Sequence, residues 1–118
     1  MGHAITLYHN PRCSKSRQAL ALIEQAGHTP NVVLYLQQPP SPAQLQQLQQ
    51  ALGFSHPRQL LRTNEALYKS LGLKNETLSA DDILLSISQN PILLERPIVL
   101  KEGRAIMGRP PENILPLL

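Results

Sequence analysis

The chain of 118 residues and 13.1 kDa has the size of one small domain. Its 42% apolar and 16% charged side chains exclude an acidic disordered tail and a coiled coil. The net charge of +3 is unevenly placed: residues 1–64 carry five basic side chains against Glu24 alone, residues 65–118 six basic and seven acidic ones.

With aromatic residues at 3% of the chain, the basic half suits a small anion better than nucleic acid. No run nears the roughly 20 apolar residues that cross a bilayer, and no charged-then-apolar leader opens the chain, so a cytoplasmic protein without membrane contact is expected. Met1, Gly2 and His3 resemble a cloning remnant, and His3 is set aside.

In chain order, Ala4–Tyr8 (AITLY) predicts a short buried strand. His9–Ser16 forms a loop. A helix follows, with Ala19, Leu20, Ile23 and Ala26 on its buried side, closed by Gly27. The β-branched Asn31–Leu36 predicts a second buried strand, completing a β-α-β unit with a right-handed crossover. Gln37-Gln38-Pro39-Pro40 breaks the pattern. Ser41 then caps a helix with Pro42 in first position, running to Leu52 and stopped by Gly53, with Leu45, Leu48 and Leu52 on one face. Short helices are expected around Arg58–Arg62, Glu65–Leu71 and Ala80–Gln89, the last capped by Ser79 with Asp82 at its third position. Pro97–Leu100 and Arg104–Met107 flank Lys101-Glu102-Gly103, which predicts a hairpin with a three-residue turn. A last short helix spans roughly Pro111–Leu115. The order β-α-β, helical insert at about 41–90, β-β-α predicts one α/β thioredoxin-like domain over 1–118.

A single cysteine makes neither an internal disulfide nor, unaided, a zinc site, and no metal is expected. Cys13 is either an inert thiol or a reactive one. Its place favours the second reading, because only the thiolate is a nucleophile and a helix start stabilises negative charge. Arg12, Lys15 and Arg17 add positive charge, and no carboxylate intervenes before Glu24. His9, four residues before Cys13, suits either proton transfer or orientation of the loop. Ser16 occupies the fourth position of a C-x-x-C pattern. Its hydroxyl can donate to the Cys13 sulfur but cannot form a disulfide, so redox turnover needs an external thiol.

The run Ile5-Thr6-Leu7-Tyr8-His9-Asn10-Pro11-Arg12-Cys13-Ser14-Lys15-Ser16-Arg17 resembles the opening of the glutaredoxin-coupled arsenate reductases. Leu60-Leu61-Arg62, Asn90-Pro91-Ile92-Leu93, Glu95-Arg96-Pro97-Ile98-Val99 and Gly108-Arg109-Pro110-Pro111-Glu112 are similar to the same family, in the same order along the chain. The resemblance implies that Cys13 is the attacking cysteine, with His9 and Ser16 the polar residues near it. It implies that Arg62, Arg96 and Arg109 form the oxyanion site, and that Pro97 is the cis-proline lying against the cysteine loop. Guanidinium forks suit that task, since they grip tetrahedral oxyanions through paired hydrogen bonds.

The implied reaction is reduction of arsenate to arsenite, with glutathione as co-substrate, glutaredoxin as partner and no bound cofactor. Two features depart from the better-known arsenate reductases: Ser14-Lys15 stands where they tend to have smaller, uncharged residues, and the stretch after Arg109 is short, as in a short branch of the family where another thiol-linked substrate, such as a glutathione adduct, is the alternative. A third reading is an RNA-polymerase-binding regulator of the same superfamily. The missing second cysteine at Ser16 and the presence of all three arginines argue against it.

Overall fold

The computed structural model describes residues 4–118, so Met1, Gly2 and His3 lie outside the described residues. The chain divides into two compact units: the residues up to Gln38 together with Arg96–Leu118, and Pro39–Glu95.

The first unit holds β1 (Ile5–Tyr8), α1 (Ser14–Gln25), β2 (Asn31–Val33), β3 (Ile98–Lys101), β4 (Arg104–Met107) and a closing 3-10 segment over Pro111–Leu117. The strands form one sheet in the order β2-β1-β3-β4. β2 runs parallel to β1, with Leu7 opposite Val32; β3 runs antiparallel to β1, with Val99 opposite Leu7. β4 returns antiparallel to β3, with Ile106 opposite Val99.

Alternation along β1 buries Ile5 and Leu7 on one face. Ala19 and Ile23 of α1, Val99, and Ile114 and Leu117 of the closing segment complete that core. Ser16 is buried one turn before Ala19. Leu20 is half-buried against this core, whereas Ala26, expected inside, is exposed at the helix end. There a Schellman motif stops the helix: His28 N–H donates to the Ile23 carbonyl and Gly27 N–H to that of Glu24. Gly27 takes a φ of 88°, which favours glycine.

Two strand expectations change. β2 ends at Val33 rather than Leu36, and as an edge strand it leaves Asn31 and Val32 exposed. Its apolar, β-branched composition is equally compatible with an edge or an interior strand, and pairing with β1 alone makes it an edge. The hairpin turn has two residues, not three: Lys101 pairs with Arg104, and Glu102 and Gly103 take φ of 53° and 76°. Positive φ at both central residues is the type I′ geometry, whose twist matches that of the strands.

The second unit is helical: α2 (Pro42–Ala51), α3 (Ala66–Ser70), α4 (Ala80–Gln89) and 3-10 turns at Pro57–Leu60 and Pro91–Leu93. Capping boxes start both longer helices, Ser41 with Gln44 on α2 and Ser79 with Asp82 on α4. Leu45 and Leu48 of α2 and Ile83, Leu84 and Ile87 of α4 are buried, and the two helices pack together. The helix expected at Arg58–Arg62 is instead the 3-10 turn Pro57–Leu60, after which Leu61 is extended and pairs with Leu94 in an isolated antiparallel bridge. The final segment is likewise 3-10 rather than a short α-helix. Pro116 inside it has no N–H to donate.

Candidate active site

Cys13 sits where β1 hands over to α1. A turn closes the loop, with Cys13 N–H donating to the Asn10 carbonyl at 3.0 Å. The Asn10 side chain accepts from Arg12 N–H at 3.0 Å, the Asx-turn chemistry that suits asparagine to such loops. Cys13 is the N-cap residue of α1: its backbone is extended and its carbonyl accepts from Arg17 N–H at 3.0 Å. The thiol is half-exposed and makes no capping hydrogen bond, so the sulfur is not engaged by the helix it precedes. No acidic residue lies in the first turn of α1. Of the neighbouring cations, Arg17 reaches back to hold the loop, donating from Nη1 to the Pro11 carbonyl at 2.9 Å.

His9 and Ser16 meet beneath this loop. Both are buried, and His9 Nδ1 lies 2.6 Å from Ser16 Oγ. The same oxygen accepts from Asn10 N–H at 3.1 Å. A buried hydroxyl needs an acceptor for its own proton, and Nδ1 is the one within reach, so the proton of neutral His9 resides on Nε2. Burial, aided by the charge of Arg17, holds His9 below the ordinary histidine pKa. The His9 backbone N–H donates to the Val33 carbonyl at 2.9 Å, which extends the β1–β2 ladder by one residue. The Ser16 hydroxyl thus serves His9 and the loop backbone, not the Cys13 sulfur as the C-x-x-C spacing suggested.

Arg96 and Arg109 belong to the same unit as Cys13. They continue the β3–β4 register beyond its last strand pair, Ile98 with Met107. Gly108 N–H donates to the Pro97 carbonyl at 2.8 Å, and Arg109 Nη1 to the Arg96 carbonyl at 3.2 Å. Two Arg96 guanidinium nitrogens, Nε and Nη1, are buried, while Arg109 is exposed. The Arg96-Pro97 peptide is cis, and so is Arg109-Pro110, which the sequence reading did not anticipate. Gly108 was missed as well: a β-carbon there would lie 2.8 Å from Pro97 Cγ, so any other residue must displace that ring.

Arg62 lies in the second unit, not on a helix but in the extended segment after Leu61, its N–H donating to the Leu93 carbonyl at 2.8 Å. Two carboxylates that sequence reasoning passed over attend it: Glu65 Oε1 at 2.6 Å from Nη1 and Glu95 Oε1 at 3.6 Å from Nε. The three-residue spacing of Arg62 and Glu65 was visible in the sequence; the approach of Glu95 was not. Among the described residues no cluster of histidine, cysteine, aspartate or glutamate is arranged to hold a metal ion, and no helix is long and apolar enough to cross a membrane.

Residues 8–117 match the model of the ArsC family. The chain is 49% identical over 110 residues to an arsenate reductase of Neisseria meningitidis, covering 93% of this chain and 94% of that one. It is 45% identical over 118 residues to an uncharacterized Escherichia coli protein, YfgD, covering 100% and 99% of the two chains. The solved structure of an arsenate reductase from Vibrio cholerae superposes with a TM-score of 0.97 at 44% identity, covering 100% of both chains. The sheet and helix order is that of this thioredoxin-like group.

Proposed function

The chain belongs to the ArsC family, and from that premise we propose that it reduces arsenate to arsenite through Cys13, drawing electrons from glutathione and a glutaredoxin. The observation that carries this reading is the position of its lone cysteine, half-exposed at the start of α1 beside cations and away from any first-turn carboxylate.

In the proposed reaction the Cys13 thiolate attacks arsenic(V), an As–S bond forms, and an oxygen leaves as water. Arg96, Arg109 and Arg62 neutralise the oxyanion, as the family resemblance assigns them. Glutathione then attacks the arsenic and displaces a second oxygen as water. The glutaredoxin thiolate attacks the glutathione sulfur, breaking its bond to arsenic and leaving the electron pair there, and water cleaves the remaining Cys13–arsenic bond to restore the thiol. Two thiols end as a mixed disulfide while arsenic takes up two electrons and leaves as arsenite. Because Cys13 is the sole cysteine, both reducing thiols must come from outside the chain. His9 and Ser16 act as positioning residues, since their hydrogen bond fixes the loop that carries Cys13. Dependence on glutathione implies the cytoplasm, where such thiols are kept reduced.

The test is arsenate-dependent NADPH oxidation coupled through glutathione, glutathione reductase and glutaredoxin. Cys13→Ser is expected to abolish turnover with its circular dichroism unchanged, because a hydroxyl is a far weaker nucleophile. An active Cys13→Ser enzyme would remove the mechanism. Wild-type turnover of a glutathione mixed disulfide, with none on arsenate, would reassign the substrate.

A further inference from the structure

The surroundings of Arg62 are unusual for a residue offered to an anion. Its backbone is anchored to the Leu93 carbonyl, and the Leu61–Leu94 bridge brings Glu95 alongside, with Glu95 N–H donating to the Leu60 carbonyl at 2.7 Å. Glu65 N–H closes a turn on the Arg62 carbonyl at 3.3 Å. Glu65 occupies the N-cap of α3, yet its carboxylate makes no capping bond there and is directed to Arg62 Nη1 at 2.6 Å instead. Side-chain exposure is 16% for Arg62, 22% for Glu65 and 27% for Glu95, so water screens the group only in part.

A guanidinium presents two forks to a tetrahedral oxyanion, one through Nη1 and Nη2 and one through Nε and Nη2. Glu65 holds a donor of the first, and Glu95 faces a donor of the second. An arriving oxyanion therefore meets a guanidinium already shared with carboxylates, hydrogen-bonded to Glu65 and within ion-pair distance of Glu95.

We propose that Glu65 and Glu95 are built-in competitors for Arg62, with Glu65 the stronger, and that an oxyanion gains this arginine only by displacing a carboxylate. The pair keeps the guanidinium ordered and neutralised when no substrate is present and lowers affinity for anions in general. This inference rests on Arg62 being an oxyanion-binding residue. Glu65 is thereby an affinity-setting residue that acts through Arg62.

The experiment is calorimetric titration of the full chain with sodium arsenate in the absence of thiols. Glu65→Gln preserves size and one acceptor oxygen but removes the charge. Its dissociation constant is expected to fall about three- to tenfold, the scale of a partly screened ion pair. Glu95→Gln should shift in the same direction by less, and both gains should vanish when combined with Arg62→Ala. Loss of a purely structural contact weakens binding, so tighter binding is a signature that such a role does not produce. Should Glu65→Gln fail to fold by circular dichroism, Glu95→Gln carries the test with the same expected direction. If folded glutamine variants bind arsenate equally or more weakly while Arg62→Ala weakens the wild type, the competition is refuted and the role of Arg62 stands. If Arg62→Ala leaves arsenate affinity unchanged, the assignment of Arg62 fails and the competition falls with it.

Discussion

Ser16 stands where a second cysteine would complete a C-x-x-C pair, and its buried hydroxyl faces His9 and the Asn10 amide. The chemistry of the loop therefore depends on whether His9 stays neutral. Burial first, and Arg17 second, oppose the imidazolium in the folded chain and lower the His9 pKa from its ordinary 6.5. The unfolded chain takes up the proton more readily, so stability grows with pH wherever the two states differ in bound protons. The His9 contribution is complete above about pH 6.5 and is lost as pH falls from there toward the lowered folded value. Urea midpoints measured from pH 7.5 down to 5.5 should decline in the wild type and decline less steeply in His9→Asn, whose amide cannot titrate. Identical slopes in the two proteins would contradict the assignment.

At the scale of elements, the β3–β4 hairpin carries Arg96 and Arg109 past its last strand pair because Pro97 and Gly108 prolong the register. The closeness of that approach constrains the residue at 108. A β-carbon would meet Pro97 Cγ at 2.8 Å, a ring atom with little freedom to withdraw. Gly108→Ala should therefore cost about 1–3 kcal/mol, the range for forcing an extra carbon into a packed position. Chemical denaturation measures the stability. Because the displaced ring adjoins Arg96, arsenate turnover should also fall, whereas the exposed Ala26→Gly change near the end of α1 should leave turnover intact. A Gly108→Ala protein as stable as the wild type would show that the hairpin end relaxes freely.

On the scale of the whole molecule, each unit has its own apolar centre, and the one bearing Cys13 is assembled from both ends of the chain. Ile5 and Leu7 come from the first strand, Ile114 and Leu117 from the final 3-10 segment. Ile114 is fully buried and packs in the cluster that includes Ala19 and Ile23 of α1. Ile114→Ala should thus destabilise the protein by about 2–5 kcal/mol, the usual cost of removing a large aliphatic side chain from a core. Exposed Leu115, one residue along, should tolerate alanine within about 0.5 kcal/mol. Thermal or urea unfolding distinguishes the two, and equal losses would mean that the closing segment does not complete this core.

The order of elements and the caps at Ser41 and Ser79 were legible in the sequence because each cap arises among residues within about one helical turn of one another, whereas α1 begins at Ser14, inside the loop expected over His9–Ser16. The hairpin was legible too, from its alternation and its glycine, although the sign of φ at Glu102 shortened the turn by one residue. The family motifs nominated Cys13, His9, Ser16, Arg62, Arg96 and Arg109 as a group. Tertiary structure alone decided where those side chains are engaged. Leu61 and Arg62 lie outside any helix because Leu61 pairs with Leu94, a partner no local pattern reveals. The same pairing delivers Glu95 to Arg62, and a contact across the hairpin leaves no room for a β-carbon at position 108 unless the Pro97 ring is displaced. Local propensity reflects near neighbours in sequence, whereas hydrogen bonds and ion pairs between distant residues exist only once the chain has folded.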